Sequence, residues 1–266
     1  MKVIDTVIFD LGGVLIDWNP KYLYREVFNG DEEKMDWFLN TICTYEWNME
    51  HDAGRPIKEG TELLINDYPE YESWIRLYYD QWPKMLGGPI SDTVKILKRL
   101  KQMETYNLFA LTNWSNETFP IAKERYGFLN DFEGIVVSGD EKTRKPYPEI
   151  YGIILDRYKI SPDKAVFIDD NHDNIVTADK LGIKGIHFKS RQGLKALEDS
   201  GVQFKTIKYL EDIPSKEELK KVLDYLNIPA EKLVRKNETI WKEKFRGKDL
   251  TDDEIITAMV DYPKLI

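Results

Sequence analysis

Residues Val3–Leu15 read VIDTVIFDLGGVL, and the reading of this stretch decides the fold. Its first half is a β-branched and aromatic run, the composition of a strand buried on both faces of a parallel sheet. Asp10 stands at the carboxyl end of that run and is followed, after Leu11, by Gly12 and Gly13. In open α/β sheets ligands gather at the carboxyl ends of strands, so a carboxylate placed there faces a crevice. The glycines permit a sharp exit from the strand and a close approach of backbone to ligand. Taken alone, such an aspartate equally caps a turn. The chain downstream decides between the two.

From about Trp18 to Gly88 the pattern is helical and aromatic, holding five of the seven tryptophans, and Gly87-Gly88-Pro89 ends it. This reads as a helical cap inserted after the first strand. Trp47, His51 and Tyr78 are candidates to line a substrate pocket, against the plainer reading that aromatics at helical spacing form a core. Beyond it, an amphipathic helix is expected over about Ser91–Gln102, with Val94, Leu97 and Leu100 inward. A second strand, Leu108–Leu111, runs into Thr112-Asn113. A helix from about Ser115 to Tyr126 and a third strand, Gly134–Val137, follow. Lys145-Pro146-Tyr147-Pro148 then leads into a helix carrying Ile150, Ile153 and Ile154. A fourth strand, Ala165–Ile168, runs into Asp169-Asp170-Asn171, and a helix through Ala178 precedes a fifth strand, Lys184–Phe188. Strands separated by helical stretches of this length predict an α/β protein with a doubly wound, Rossmann-like parallel sheet.

That topology brings the strand ends to one edge, and with them Asp10, Thr112, Asn113, Lys145, Asp169 and Asp170. Three carboxylates packed together repel, and the remedies are a raised pKa or a hard cation. Oxygen donors of this kind suit Mg²⁺, which takes one or two carboxylates with waters and a substrate phosphate. Thr112 and Lys145 would hold phosphoryl oxygens, while Asp10 could attack phosphorus in line. Each piece has a plainer reading: Thr112 as a cap, Lys145 as a solvated charge, Asp169-Asp170 as a helix start. Their joint placement at successive strand ends favours the site.

The bulk properties narrow the field. A net charge of −9 argues against nucleic acid as a partner, because phosphate backbones are held mainly by Lys and Arg. No apolar run approaches the roughly 20 residues that span a bilayer, so no membrane association is expected. The first strand starts within three residues, which leaves no room for a signal peptide, and the one cysteine, Cys43, cannot form an intrachain disulfide. A cytoplasmic setting follows as the expectation.

Phe9-Asp10-Leu11-Gly12-Gly13-Val14-Leu15, Leu111-Thr112-Asn113, Lys145-Pro146 and Asp169-Asp170-Asn171 together resemble the four motifs of the haloacid dehalogenase-like hydrolase superfamily. The resemblance covers about residues 1–202 and is similar in detail to the sugar-phosphate phosphatases and the epoxide-hydrolase N-terminal phosphatase group. It implies Asp10 as nucleophile and Mg²⁺ ligand, with the Gly12 carbonyl and the Asp170 carboxylate as further ligands. Asp169 would hold a metal-bound water, and Thr112, Asn113 and Lys145 would bind the phosphoryl group. The core is expected over 1–17 and 89–202, with the cap over 18–88. Most phosphatases of the superfamily carry a second Asp two residues after the nucleophile as acid and base. Gly12 stands there, and a positioned acid–base group contributes about 10²–10⁴-fold in rate. The dehalogenase branch also lacks that Asp, but Asp169-Asp170 looks built for a metal that branch does not use.

Past Gly201 the alternation stops. Phe204–Leu210 is expected as a strand and the remainder as helix, with capping boxes at Ser215/Glu218 and Thr251/Glu254. This mainly helical extension, 203–266, resembles the middle of the arsenate reductase family. The matching residues are Ile207-Lys208-Tyr209-Leu210, Leu233-Val234-Arg235-Lys236-Asn237 and Asp249-Leu250-Thr251-Asp252-Asp253-Glu254. Arg235 falls on one of that family's oxyanion-binding arginines. The segment with its catalytic cysteine is missing, so a structural role, or contact with a partner or second copy of the chain, is the expectation. The expectation for the whole is a Mg²⁺-dependent phosphatase of small phosphorylated metabolites, such as a sugar 1-phosphate or acyl phosphate. The alternative is a non-catalytic or weakly active ligand- or partner-binding protein on the same fold, which Gly12 favours.

Overall fold

The structure, a computed structural model, describes residues 3–189, 214–226, 228–236, 238–248 and 250–265. Five short apolar runs form one parallel sheet: β1 (Thr6–Phe9), β4 (Asn107–Thr112), β5 (Gly134–Val137), β6 (Ala165–Asp169) and β7 (Lys184–His187). The order is β5-β4-β1-β6-β7. The chain winds outward from β1 through β4 to β5, then returns to the other side of β1 through β6 to β7. Right-handed crossovers in opposite directions put helices on both faces. Val7, Phe9, Leu108, Leu111, Val166 and Phe167 are each at most 1% exposed. Burial of such a side chain contributes about 1.5–3 kcal/mol, which is why runs of only four to six residues suffice.

Register fixes what lies at the sheet edge. Phe9 pairs with Ala110 on one side and Ile168 on the other. Asp10 and Asp169, each one residue beyond the Phe9–Ile168 pair, therefore end side by side. The reversal of winding occurs at β1, so Asp10 stands at the switch point of the sheet.

The structure adds a feature absent from the sequence reading. Ile16–Trp18 (β2) and Leu86–Pro89 (β3) pair antiparallel, with a register shift between Asp17 and Trp18. The helical insertion enters and leaves through this ribbon. It comprises α1 (Lys21–Val27), α2 (Glu32–Thr41), α3 (Tyr45–Asp52), α4 (Ile57–Asp67) and α5 (Glu72–Asp80). Its core is aromatic: the Tyr24 and Phe38 rings lie 4.9 Å apart, as do Phe28 and Trp74. Cys43 is buried, and burial pushes its thiol well above the usual range, which disqualifies it as a nucleophile.

After the ribbon, α6 (Ser91–Met103) leads to β4. The next helix, α7 (Phe119–Arg125), starts later than expected from Ser115. The Ser115 hydroxyl accepts from the Glu117 N–H and the Trp114 N–H is taken by Ser138, so this segment is spent on turns. Four-residue α8 (Ser138–Glu141), α9 (Pro148–Tyr158) and α10 (His172–Lys180) complete the core.

The chain divides into two compact units at 203/204. In the second unit a helix over Lys216–Leu226 and another over Asp252–Asp261 pack around Leu219, Leu223, Trp241, Ile255 and Met259. The Thr251/Glu254 capping box is formed, and Ser215 and Glu218 exchange the reciprocal bonds of the other. The expected strand Phe204–Leu210, Asn237 and Asp249 lie outside the described residues. Among the described residues no helix is long and apolar enough to cross a membrane.

Candidate active site

Lys145 is the centre of the site. Only 1% exposed, its ammonium lies 2.9 Å from Asp10 Oδ1 and 2.6 Å from Asp169 Oδ2. The lysine is held there by its own backbone: the Asn113 side chain accepts from the Lys145 N–H at 2.8 Å and donates to its carbonyl at 3.0 Å. Both ends of the Asn113 amide thus tie the lysine loop to the end of β4.

Asp169 is held by several donors. Its oxygens accept from the Asn171 N–H at 2.7 Å, from Asn174 Nδ2 at 3.0 Å and from Lys145. Asp170, next along, is exposed and turned toward Gly13. Carboxylate oxygens of Asp10, Asp169 and Asp170 all lie within 4.8 Å of one another. Burial raises Asp10 well above the usual carboxylate range; Lys145 opposes this, and Asp169 and Asp170 add to it. Burial also raises Asp170, with Asp169 adding to it. For Lys145, burial pulls the ammonium down, but Asp10 and Asp169 outweigh it and the net shift is upward. Three clustered carboxylates thus have one ammonium, paired with two of them, a surplus of negative charge made only of hard oxygen donors. This set fits a divalent cation such as Mg²⁺.

Thr112 is 1% exposed and its hydroxyl has no hydrogen-bond partner, an expensive condition for a buried polar atom. It stands at the end of β4, beside the lysine loop, as a donor awaiting an acceptor. The two glycines after Asp10 separate in role. Gly13 has φ +71° and a Cβ there would run into the Asp170 carboxylate, so the position calls for glycine. A Cβ at Gly12 would meet nothing within 4 Å, so steric demand does not account for that glycine.

A cavity of about 310 Å³ opens over this cluster, between cap and core. Its aromatic walls include Trp18, Tyr45, Tyr79, Trp82 and Trp114. Of the two readings of Trp47, His51 and Tyr78, cavity lining or core, the structure shows the plainer one, core. His51 and Tyr78 are 0% and 2% exposed within the cap core, and Trp47 packs on both. The residues that face the cavity, Tyr45, Asn48, Asp52 and Tyr79, are one or two positions away on the same helices, α3 and α5. Asp52 was missed altogether. Helix α3 is polar on most of its circumference, so its sequence gives no signal of which carboxylate points inward.

The comparisons with known proteins agree with this architecture. A family model described as haloacid dehalogenase-like hydrolase matches residues 4–182. The chain belongs to the haloacid dehalogenase-like hydrolase family. It is therefore an enzyme of that hydrolase family, and its second unit lies beyond the matched region. Among curated relatives it is 24% identical over 206 residues to a phosphorylated carbohydrates phosphatase of Thermotoga maritima, covering 74% of this chain and 91% of that protein. It is 27% identical over 181 residues to the sesquiterpene phosphatase astK of Aspergillus oryzae, covering 68% and 87%. In fold it is similar to a family enzyme of Bacteroides thetaiotaomicron crystallised with magnesium and inorganic phosphate (TM-score 0.52, 23% identity, 71% of this chain and 96% of that one). A HAD-like hydrolase of Porphyromonas gingivalis matches with TM-score 0.59 at 18% identity, covering 76% and 100%.

Proposed function

We propose that the protein is a Mg²⁺-dependent phosphatase that hydrolyses a small phosphorylated metabolite through an aspartyl-phosphate on Asp10. The observation that carries this reading is a cluster of three carboxylates, two of them paired with one buried lysine, beside an unpartnered threonine hydroxyl. Relatives named as phosphatases and a similar fold crystallised with magnesium and phosphate support it.

In this reading Asp10, Asp170 and the Gly12 carbonyl would hold the cation, with Asp169 assisting through a water. The cation supplies charge neutralisation for a dianionic phosphoryl group approaching an acidic site. Lys145 and the Thr112 hydroxyl bind the phosphoryl oxygens, with Asn113 keeping the lysine loop in place. Asp10 Oδ1 is engaged by the Leu11 N–H at 2.7 Å and by Lys145. Oδ2, outside both contacts, is the oxygen that attacks phosphorus. The cavity volume lies at the lower end of the range for small-molecule sites, which favours a metabolite over a macromolecular substrate.

The test is phosphate release from a panel of sugar, acyl, alkyl and aryl phosphates with Mg²⁺ or with chelator. Turnover that requires Mg²⁺ and disappears in Asp10→Asn is the expected result. Turnover that survives Asp10→Asn would refute it.

A further inference from the structure

The family's usual acid–base side chain is absent at Gly12, yet both chemical steps of a phosphatase need a proton moved. When Asp10 attacks, the P–O bond to the substrate breaks and the departing alkoxide takes a proton. When water then attacks the aspartyl-phosphate, one proton leaves that water, phosphate departs and the Asp10 carboxylate is restored. A single group that gives the first proton and takes the second ends the cycle unchanged.

We propose that Asp52 is that group, supplied by the cap to fill the place position 12 leaves open; this rests on the phosphatase reading above. Among the described residues, Asp52 is the only carboxylate lining the cavity outside the Asp10–Asp169–Asp170 cluster. It ends α3 and is held from several sides. Its carboxylate accepts from Asn48 Nδ2 at 3.1 Å, and Asn48 Oδ1 accepts in turn from the Tyr79 hydroxyl at 3.1 Å. Its backbone carbonyl accepts from the Ser138 hydroxyl of the core at 2.5 Å, so the core itself fixes the end of the cap helix. Tyr45, from the first turn of the same helix, lines the cavity together with Asp52, Asp10 and Asp170. Gly12 lines the same cavity with open space where its Cβ would be.

The electrostatics suit the task. Burial pushes the Asp52 carboxyl up to about 7, while the Ser115 backbone N–H and the Arg144 charge pull it back. An acid that also works as a base is most effective when its pKa lies near the working pH. The other groups facing it are the phenols of Tyr45 on its own helix and of Tyr78 and Tyr79 on α5. All three are pushed up by burial and hold their protons too firmly to serve as bases.

The experiment compares wild type, Asp52→Asn and Asp52→Asn/Gly12→Asp on two Mg²⁺-loaded substrates. One is p-nitrophenyl phosphate, whose phenolate departs without a proton; the other is the best alkyl phosphate of the panel. In Asp52→Asn, kcat on the alkyl phosphate falls about 10²–10⁴-fold. On p-nitrophenyl phosphate a stoichiometric burst of nitrophenolate persists, followed by slow turnover, because only the water-activating base is lost. Adding Gly12→Asp, for which there is room, recovers at least tenfold on the alkyl phosphate. In the metal-free protein, carboxyl-labelled aspartate NMR shows a resonance titrating near pH 7 that Asp52→Asn deletes. Equal losses on both substrates without a burst, or a wild-type kcat on the alkyl phosphate, overturns the proposal while leaving the phosphatase standing. Absence of phosphate release by wild type from every substrate fails the phosphatase reading, and this one with it.

Discussion

Replacing Lys145 by Met keeps an unbranched chain one atom shorter and removes the charge, and the structure sets the consequence. The ammonium is 1% exposed and lies 2.9 Å from Asp10 and 2.6 Å from Asp169. Without it, three carboxylates within 4.8 Å of one another have no cation among the side chains. Removing one partner of a buried ion pair typically costs about 3–5 kcal/mol, because a charge is left unpaired in a low-dielectric site. For a unit of this size each kcal/mol shifts the melting temperature by about 2–4 °C, so a loss of about 6–20 °C is expected without divalent metal at pH 7.5. The sign with pH follows from Asp10 and Asp170, already raised with the lysine present and raised further without it. A carboxylate with a raised folded-state pKa burdens the fold at high pH, and that burden lifts as pH falls through the raised value toward about 4. The gap between Lys145→Met and wild type therefore narrows on acidification. Adding Asp169→Asn removes one orphaned charge, so the double variant melts above Lys145→Met alone. The assay is thermal unfolding by near-ultraviolet circular dichroism in chelator from pH 5 to 8. A Lys145→Met protein within 2 °C of wild type at pH 7.5, or a gap constant across that range, would refute the reasoning.

Thr112→Val removes a buried hydroxyl that has no partner, so it stabilises the metal-free protein by about 1 kcal/mol while lowering phosphatase kcat/KM at least tenfold; denaturant unfolding and phosphate release measure the two. Gly13→Ala drives a methyl into the Asp170 carboxylate and strains a φ of +71°, so Mg²⁺ affinity by calorimetry falls at least tenfold. Burial holds His51 down to about 4, so its neutral form is the one the cap accepts, and the stability it leaves intact at neutral pH is lost as pH falls from about 6.5 toward 4. The shift is worth up to about 3 kcal/mol, so His51→Phe, near wild type at pH 7, becomes the more stable of the two in urea unfolding at pH 4.5.

The sheet was legible because buried parallel strands need almost nothing but β-branched and aromatic residues, as Thr6–Phe9 and Ala165–Asp169 show. The cluster was legible for a related reason. A polar group that directly ends such a run is placed at the sheet edge by topology, so Asp10, Thr112 and Asp169 could be assigned to one crevice before any side chain was seen. Lys145 comes from a loop and needed the motif order as well. The cap resisted, because helical periodicity gives spacing but not phase. Trp47 and Tyr45 sit on the same helix, and only packing against the core decides which of them meets the cavity. Asp52 gave no signal for the same reason. The ribbon was invisible too, since Ile16–Trp18 is three residues long and Gly87-Gly88-Pro89 reads as a break in any single-strand pattern.

That ribbon makes the cap a detachable module. Ile16 and Pro89 face each other across one pair of strands, so about seventy residues of insertion begin and end at neighbouring points. A tight hairpin turn spliced across the ribbon would close the chain without moving Asp10 or the sheet. The shortened chain would present Asp10 on an open face, free of the walls that Tyr45, Asp52 and Tyr79 now give the cavity.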